Sequence, residues 1–337
     1  MPDLFAGPES ARLTAGAFLR SATLVAALVT TLSGCASMVP QTMTLREAWP
    51  AGVAMRTEIA GVPFFAQDDY QCGPAALATT LVHSGAPVTP EELVKLVYLP
   101  ARKGSLQIEM LAASRRYSRV SYALAPRFDD LLREVAAGNP VIVLQDIGPG
   151  LITNWHYAVV VGFDYPAGEL YLRSGTTERQ AIPFTIFEYT WKKSAYWAMV
   201  TPPAGRIPAT AAEAPYLAAV AAMERVGEPH AALLAYSAFL VRWPDNVAAR
   251  IGLANRHYAL GELKQAETVL RGGLMRHPAS SAILNNLAQT LSDQGRNDEA
   301  LPFIEQAVQL NEPPYSAAVR DTQALILQRM GKTPGSP

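Results

Sequence analysis

Apolar and polar positions along the chain change their period several times. Ser21 to Thr31 is an apolar run of about eleven residues, preceded by Arg12 to Arg20, a basic lead without an acid. That run suits a secretory core and is too short to cross a bilayer comfortably. From Gly61 to Thr201 helical and strand patterns mix. Val141 to Leu144, after Asn139-Pro140, is continuously apolar and reads as a buried central strand. His156 to Asp164 is a β-rich run bounded by Asn154 and Gly162. Thr89-Pro90-Glu91-Glu92 carries a Thr cap, a Pro in the first turn and a Glu three residues after the Thr, the signature of a helix start. Pro202 to Pro215 is rich in Pro and Ala, and beyond it the chain is Ala/Leu-rich and helical to its end. The pattern predicts a cleaved leader over 1–34, a tether over 35–60 that lacks periodicity, an α+β domain over 61–201, a linker over 202–212 and helices over 213–331.

The helical half repeats. Gly227, Gly261 and Gly295 are spaced by 34 residues, as are Ala232, Ala266 and Ala300; Pro244 and Pro278 keep the interval and Pro313 falls one residue late. Thirty-four residues is the tetratricopeptide period. Each Gly is expected to close a first helix in a left-handed cap, each Ala to admit the second helix closely, and each Pro to end it. The units are 213–246, 247–280 and 281–314, with a solvating cap helix at 315–331. Arg250 and His257 stand where this repeat usually has aromatic residues, so the units are divergent. Stacked repeats form a concave face suited to a protein or peptide partner.

Composition narrows the function classes. With 337 residues, half of them hydrophobic, the chain can bury more than one core. A net charge of −1 and 17% charged residues give no basic field, which argues against nucleic acid. Only Cys35 and Cys72 are present, too few for a disulfide framework or a cysteine metal site, and no cofactor motif appears. Leu32-Ser33-Gly34-Cys35 resembles the lipobox of bacterial lipoproteins. The resemblance implies cleavage before Cys35, acylation of its thiol and anchoring on the periplasmic face of a membrane. Ala36, in place of Asp, implies the outer membrane rather than the inner.

Cys72 carries the candidate chemistry. It follows a polar turn and begins Cys72-Gly73-Pro74-Ala75-Ala76-Leu77, where Pro74 fits a first helical turn. A thiol at a helix N-terminus is expected to have a lowered pKa. Five histidines could serve as its base. His230, His257 and His277 lie in the repeats. His83 is eleven residues along the same helix, about 16 Å away. His156, at the start of a strand, remains, and a strand-start His facing a helix-start Cys is a papain-type dyad. Asp164, some 26 Å along the His strand, cannot reach it and starts the turn Asp164-Tyr165-Pro166-Ala167-Gly168. Trp155 reads first as packing, with a subsite wall as the alternative; Trp191 and Trp197 read as core.

The pattern of Gln, Cys-Gly-Pro-Ala-Ala and then His-Tyr-Ala-Val-Val-Val-Gly resembles the bacteriocin-processing, double-glycine-leader cysteine peptidases over about 140 residues. With the lipobox before it and the repeats behind, the arrangement is similar to proteobacterial lipoproteins regarded as cysteine peptidases. The resemblance implies an α+β papain-like cysteine peptidase domain followed by an all-α tetratricopeptide-repeat solenoid. It assigns Cys72 as nucleophile, His156 as general base and Gln67 as oxyanion-hole donor. Gln67 stands five residues before Cys72 where the family has six, and adjacent Gln71 is a poor substitute. The family's Asp on the strand after the His is missing from Glu169 to Thr176, where Ser174 is left as a weaker orienter of the imidazole. Peptide-bond hydrolysis is the leading activity, and transfer of the acyl group would use the same residues. The alternative is a catalytically inert, lipid-anchored scaffold.

Overall fold

The computed structural model describes residues 38–66, 71–150 and 152–332. The first domain is built on a seven-stranded antiparallel sheet. Its strands are β1 (Arg56–Glu58), β4 (Tyr122–Ala123), β5 (Val141–Asp146), β6 (Trp155–Asp164), β7 (Glu169–Ser174), β8 (Thr177–Pro183) and β9 (Ala198–Val200). They run in the order β4-β9-β5-β6-β7-β8, with β1 pairing onto β6. A separate small ribbon joins β2 (Tyr98–Leu99) to β3 (Gly104–Ser105). β5 is buried along its whole length, as its continuous apolar run predicts.

Each face of the sheet holds one core. Ile142, Leu144, Tyr157, Val159 and Met199 pack against α2 (Cys72–His83), α3 (Pro90–Val97) and α4 (Gln107–Arg116) through Leu77, Leu93 and Met110. Val141, Val143, Ala158 and Val160 pack on the other face against α5 (Phe128–Ala136) and α6 (Phe184–Trp191) through Phe128, Leu131 and Trp191. The helix start at Thr89 has the full reciprocal capping box with Glu92.

Residues 38–60 are not a tether. α1 (Pro40–Glu47) buries Thr42 and Leu45. Fully buried Glu188 accepts the Gln41 and Thr42 N–H groups at 2.9 and 2.6 Å. β1 then adds to β6, and Gly162 makes room for it: a Cβ there would sit 2.7 Å from the Thr57 carbonyl oxygen. These anchors lie more than a hundred residues away in sequence, so the local pattern is silent about them.

The repeats fall as the 34-residue period requires. The first helices are α7 (Glu213–Glu224), α9 (Val247–Ala259) and α11 (Ser281–Asp293). Their partners are α8 (Pro229–Arg242), α10 (Leu263–Leu274) and α12 (Asn297–Leu310), and α13 (Ser316–Arg329) covers the end. Ala232, Ala266 and Ala300 are buried at the close approaches. Gly261 and Gly295 take positive φ, 77° and 78°. Gly227 does not. Its smallness serves space instead, since a Cβ would lie 3.0 Å from the Met223 carbonyl oxygen and 3.3 Å from that of Arg115. The expected linker is also packed: Ala204 and Ala211 belong to the same core cluster as the sheet and as Tyr216, Val220 and Phe239 of the first repeat.

Candidate active site

α2 opens at Cys72, with Gln71 as an exposed N-cap whose side chain makes no capping bond. Gly73 follows because β3 lies against the helix start: a Cβ on it would come within 2.6 Å of Ser105 Cβ and nearer still to Ser105 Oγ. The thiol is only partly accessible. Burial pushes the Cys72 thiol above its ordinary value, and backbone hydrogen bonds from Tyr157, Gly73 and Cys72 itself pull the other way without cancelling it. The lowered pKa expected from the helix start is therefore overridden by desolvation.

Cys72 packs in the same core as Tyr157, which follows His156 on β6; among the described residues the His156 ring bonds Ser174 and no hydrogen bond joins it to the thiol. Burial lowers the His156 pKa, so both groups favour their neutral forms. His156 Nε2 lies 2.9 Å from Ser174 Oγ at the end of β7, which leaves Nδ1 as the ring nitrogen free of that contact. Ser174 thus does stand beside the imidazole. The Tyr157 hydroxyl donates to the Ser105 carbonyl at 3.2 Å, and its phenol pKa is raised by burial and then by Cys72.

The other sequence candidates fall elsewhere. His83 ends α2 with Nε2 3.3 Å from the Gly138 carbonyl. His257 pairs with Glu262 in the repeats, Nδ1 to Oε2 2.6 Å. Asp164 accepts the Ala167 N–H at 3.0 Å and binds Arg56, which makes it a turn residue. Gln67 lies outside the described residues, as does Cys35. Trp155 is not packing: it is 48% exposed beside His156. Trp191 is core, and Trp197 meets Tyr157 edge-on at 5.8 Å.

Sequence reasoning missed three contributors. Tyr157 could have been found from alternation, which puts it on the face of the sheet that α2 covers. Ser105 gave no signal, because its two-residue strand is too short for a period. Asp146 accepts the Gly148 and Asn154 N–H groups at 3.0 and 2.8 Å and pairs with Lys193 at 3.3 Å, fixing the loop that leads into Trp155. No group of three metal-ligating side chains occurs among the described residues.

Residues 59–199 match the model of the Peptidase_C39 like family. The first domain is a C39-like peptidase domain. Residues 225–289 and 281–312 match two tetratricopeptide-repeat models, so a repeat region follows it. A solved C39-like peptidase from Bacillus anthracis is 18% identical, with a TM-score of 0.37 over 43% of this chain and 96% of that one. A double glycine motif protease from an AMS/PCAT transporter, solved in complex with the leader peptide, is 21% identical, with a TM-score of 0.34 over 43% of this chain and 94% of that one. MamA is 20% identical, with a TM-score of 0.29 over 34% of this chain and 64% of that one. No curated protein matches the chain.

Proposed function

We propose that the chain is a cysteine peptidase that cuts peptide bonds through Cys72 and His156. The observation that carries this reading is the packing of Cys72, at the start of its helix, in one core with Tyr157, the neighbour of His156 on β6. Both groups rest neutral, so His156 acts as a general base: the imidazole takes the thiol proton as sulfur attacks the carbonyl. The acyl-enzyme forms as the imidazolium protonates the leaving amine, and water then releases the acid. Ser174 holds the ring through Nε2. Gln67 is proposed as oxyanion donor beside the Cys72 N–H, a role worth on the order of 10²–10³ in rate.

In this reading Cys35 carries lipid, the chain is held on the periplasmic face of the outer membrane, and the repeats recruit a protein or peptide. Metabolic palmitate labelling that survives Cys35→Ala would remove the anchor. For the chemistry, the detergent-purified chain is incubated with a proteome-derived peptide mixture and new termini are identified by mass spectrometry. Termini absent from both Cys72→Ala and His156→Ala are expected.

A second reading, an inert scaffold, draws on the neutral thiol and on a serine behind His156 where a carboxylate would hold an imidazolium better. Wild-type protein that yields no new termini while still capturing a partner through its repeats would favour it.

A further inference from the structure

Lys192 Nζ donates to the Met38 carbonyl at 2.9 Å, and Glu188 holds the next residues, so Met38 to Thr42 are fastened along α6. Cys35 is three residues before Met38, a reach of about 11 Å at full extension.

The helix that holds Met38 also carries exposed apolar side chains. Ile186 and Tyr189 are exposed and three apart on α6, hence on one face. Lys193 Nζ stands 5.2 Å from the centre of the Tyr189 ring and pairs with Asp146 at 3.3 Å. Asp146 in turn ties down the loop that carries Ile147 and Ile152 into Trp155. Eight large hydrophobic side chains are exposed among the described residues before 202, and six lie along this path: Met38, Ile147, Ile152, Trp155, Ile186 and Tyr189. Met55 and Ile108 are the other two. Scattered singly such residues need no explanation; gathered beside an anchor they mark a surface in use.

We propose that this face rests in the interface of the phospholipid bilayer, with Trp155 and Tyr189 at headgroup depth. The proposal rests on the reading that Cys35 is acylated. Indole and phenol rings suit that depth because each joins an apolar body to a polar tip. A short tether removes most of the entropic cost of docking, so a modest apolar face suffices to hold one orientation. Trp155 precedes His156, so the arrangement places the candidate active site at the lipid surface.

The test uses the full chain purified in detergent and returned to vesicles of phosphatidylcholine and phosphatidylglycerol. Tryptophan emission is read with lipids brominated on their acyl chains, and intact mass is measured on the same sample. Trp155 is the exposed tryptophan among the described residues. Quenching is expected in the wild type, with the quenchable fraction lost in Trp155→Phe and reduced in Ile152→Ser. An acylated chain that is not quenched, or is quenched equally in Trp155→Phe, overturns the proposal and leaves the anchor standing. A mass without acyl groups shows that the anchor reading failed, and the proposal falls with it.

Discussion

Replacing Gly73 by alanine tests how closely β3 is pressed against the helix that starts at Cys72. The added Cβ would stand 2.6 Å from Ser105 Cβ, short of ordinary carbon contact by roughly 0.9–1.4 Å. Ser105 cannot retreat freely, since its residue pairs with Tyr98 across the ribbon and its carbonyl takes the Tyr157 hydroxyl. Overpacking of this kind costs about 1–3 kcal/mol. Alanine's better helix propensity returns up to about 1 kcal/mol, so a net loss of about 1–2 kcal/mol is expected. Urea denaturation measures it. Ser105→Gly removes both colliding atoms, so the double variant should recover most of the loss, with a coupling of about 1–2 kcal/mol in the cycle. Cleavage should fall as well, because a shift of about 1 Å at the nucleophile can cost 10²-fold. A Gly73→Ala protein as stable as the wild type, or a cycle without coupling, would refute the close-approach argument.

Other outcomes follow from the site and the core. His156 has a depressed pKa in the folded chain, so its contribution to stability is present above the unfolded value of about 6.5 and is lost as pH falls through the folded value. The acid limb of cleavage should therefore lie below pH 6.5. Alkylation of Cys72 by iodoacetamide should rise only at alkaline pH, because the thiol is raised; an inflection below neutrality would show an ion pair instead. Ser174→Ala removes one hydrogen bond to the imidazole, worth about 1 kcal/mol, and should slow cleavage about fivefold. Ser174→Asp should move the acid limb upward, and a pH profile unchanged in both variants would remove Ser174 from the site. Phe239→Ala, in the core that the first repeat shares with the sheet, should cost about 3–5 kcal/mol and lower a single calorimetric transition. Two separate transitions, with the sheet's unmoved, would show the regions to be independent.

What the sequence revealed and what it hid divide along one physical line. β5 was legible because both its faces are covered, which forces a continuous apolar run. The repeats were legible because each unit must bury the same stripe, so Ala232, Ala266 and Ala300 recur in phase. The helix start at Cys72 was legible from Gly-Pro behind it. Features held by distant partners were not. α1 depends on a buried carboxylate, Glu188, 146 residues beyond Thr42, and nothing near Pro40 announces it. Gly227 shares its spacing with Gly261 and Gly295 but not their backbone: it fits between the Met223 carbonyl of the helix before it and the distant Arg115 carbonyl of α4, and the second of these is invisible locally. The direction of the thiol's pKa was hidden for the same reason: the helix terminus is local, whereas the burial that outweighs it comes from a core assembled from several distant segments.

The segment between the two regions decides how the repeats can serve Cys72. A Pro/Ala-rich stretch suggests a semi-rigid spacer, yet Thr210 gives both its N–H and its hydroxyl to fully buried Glu134, at 2.7 and 2.6 Å. Ala212 N–H donates to the Tyr122 hydroxyl at 3.1 Å, and Arg242 reaches back to the Pro208 carbonyl at 3.0 Å. Tyr216 then meets Tyr122 edge-on with ring centres 5.9 Å apart. A chain pinned at so many points cannot swing, and the first repeat is an extension of the domain's own core. Repeats stack each on its neighbour, so the groove of the whole array inherits one orientation toward the sheet. If the repeats recruit the substrate, as proposed, they present it to Cys72 along a fixed path, and the distance from groove to thiol becomes a determinant of which bond is cut. Duplicating one 34-residue unit should leave that path unchanged near the domain and extend it only at the far end, so substrates gripped by the first unit should keep their cleavage position.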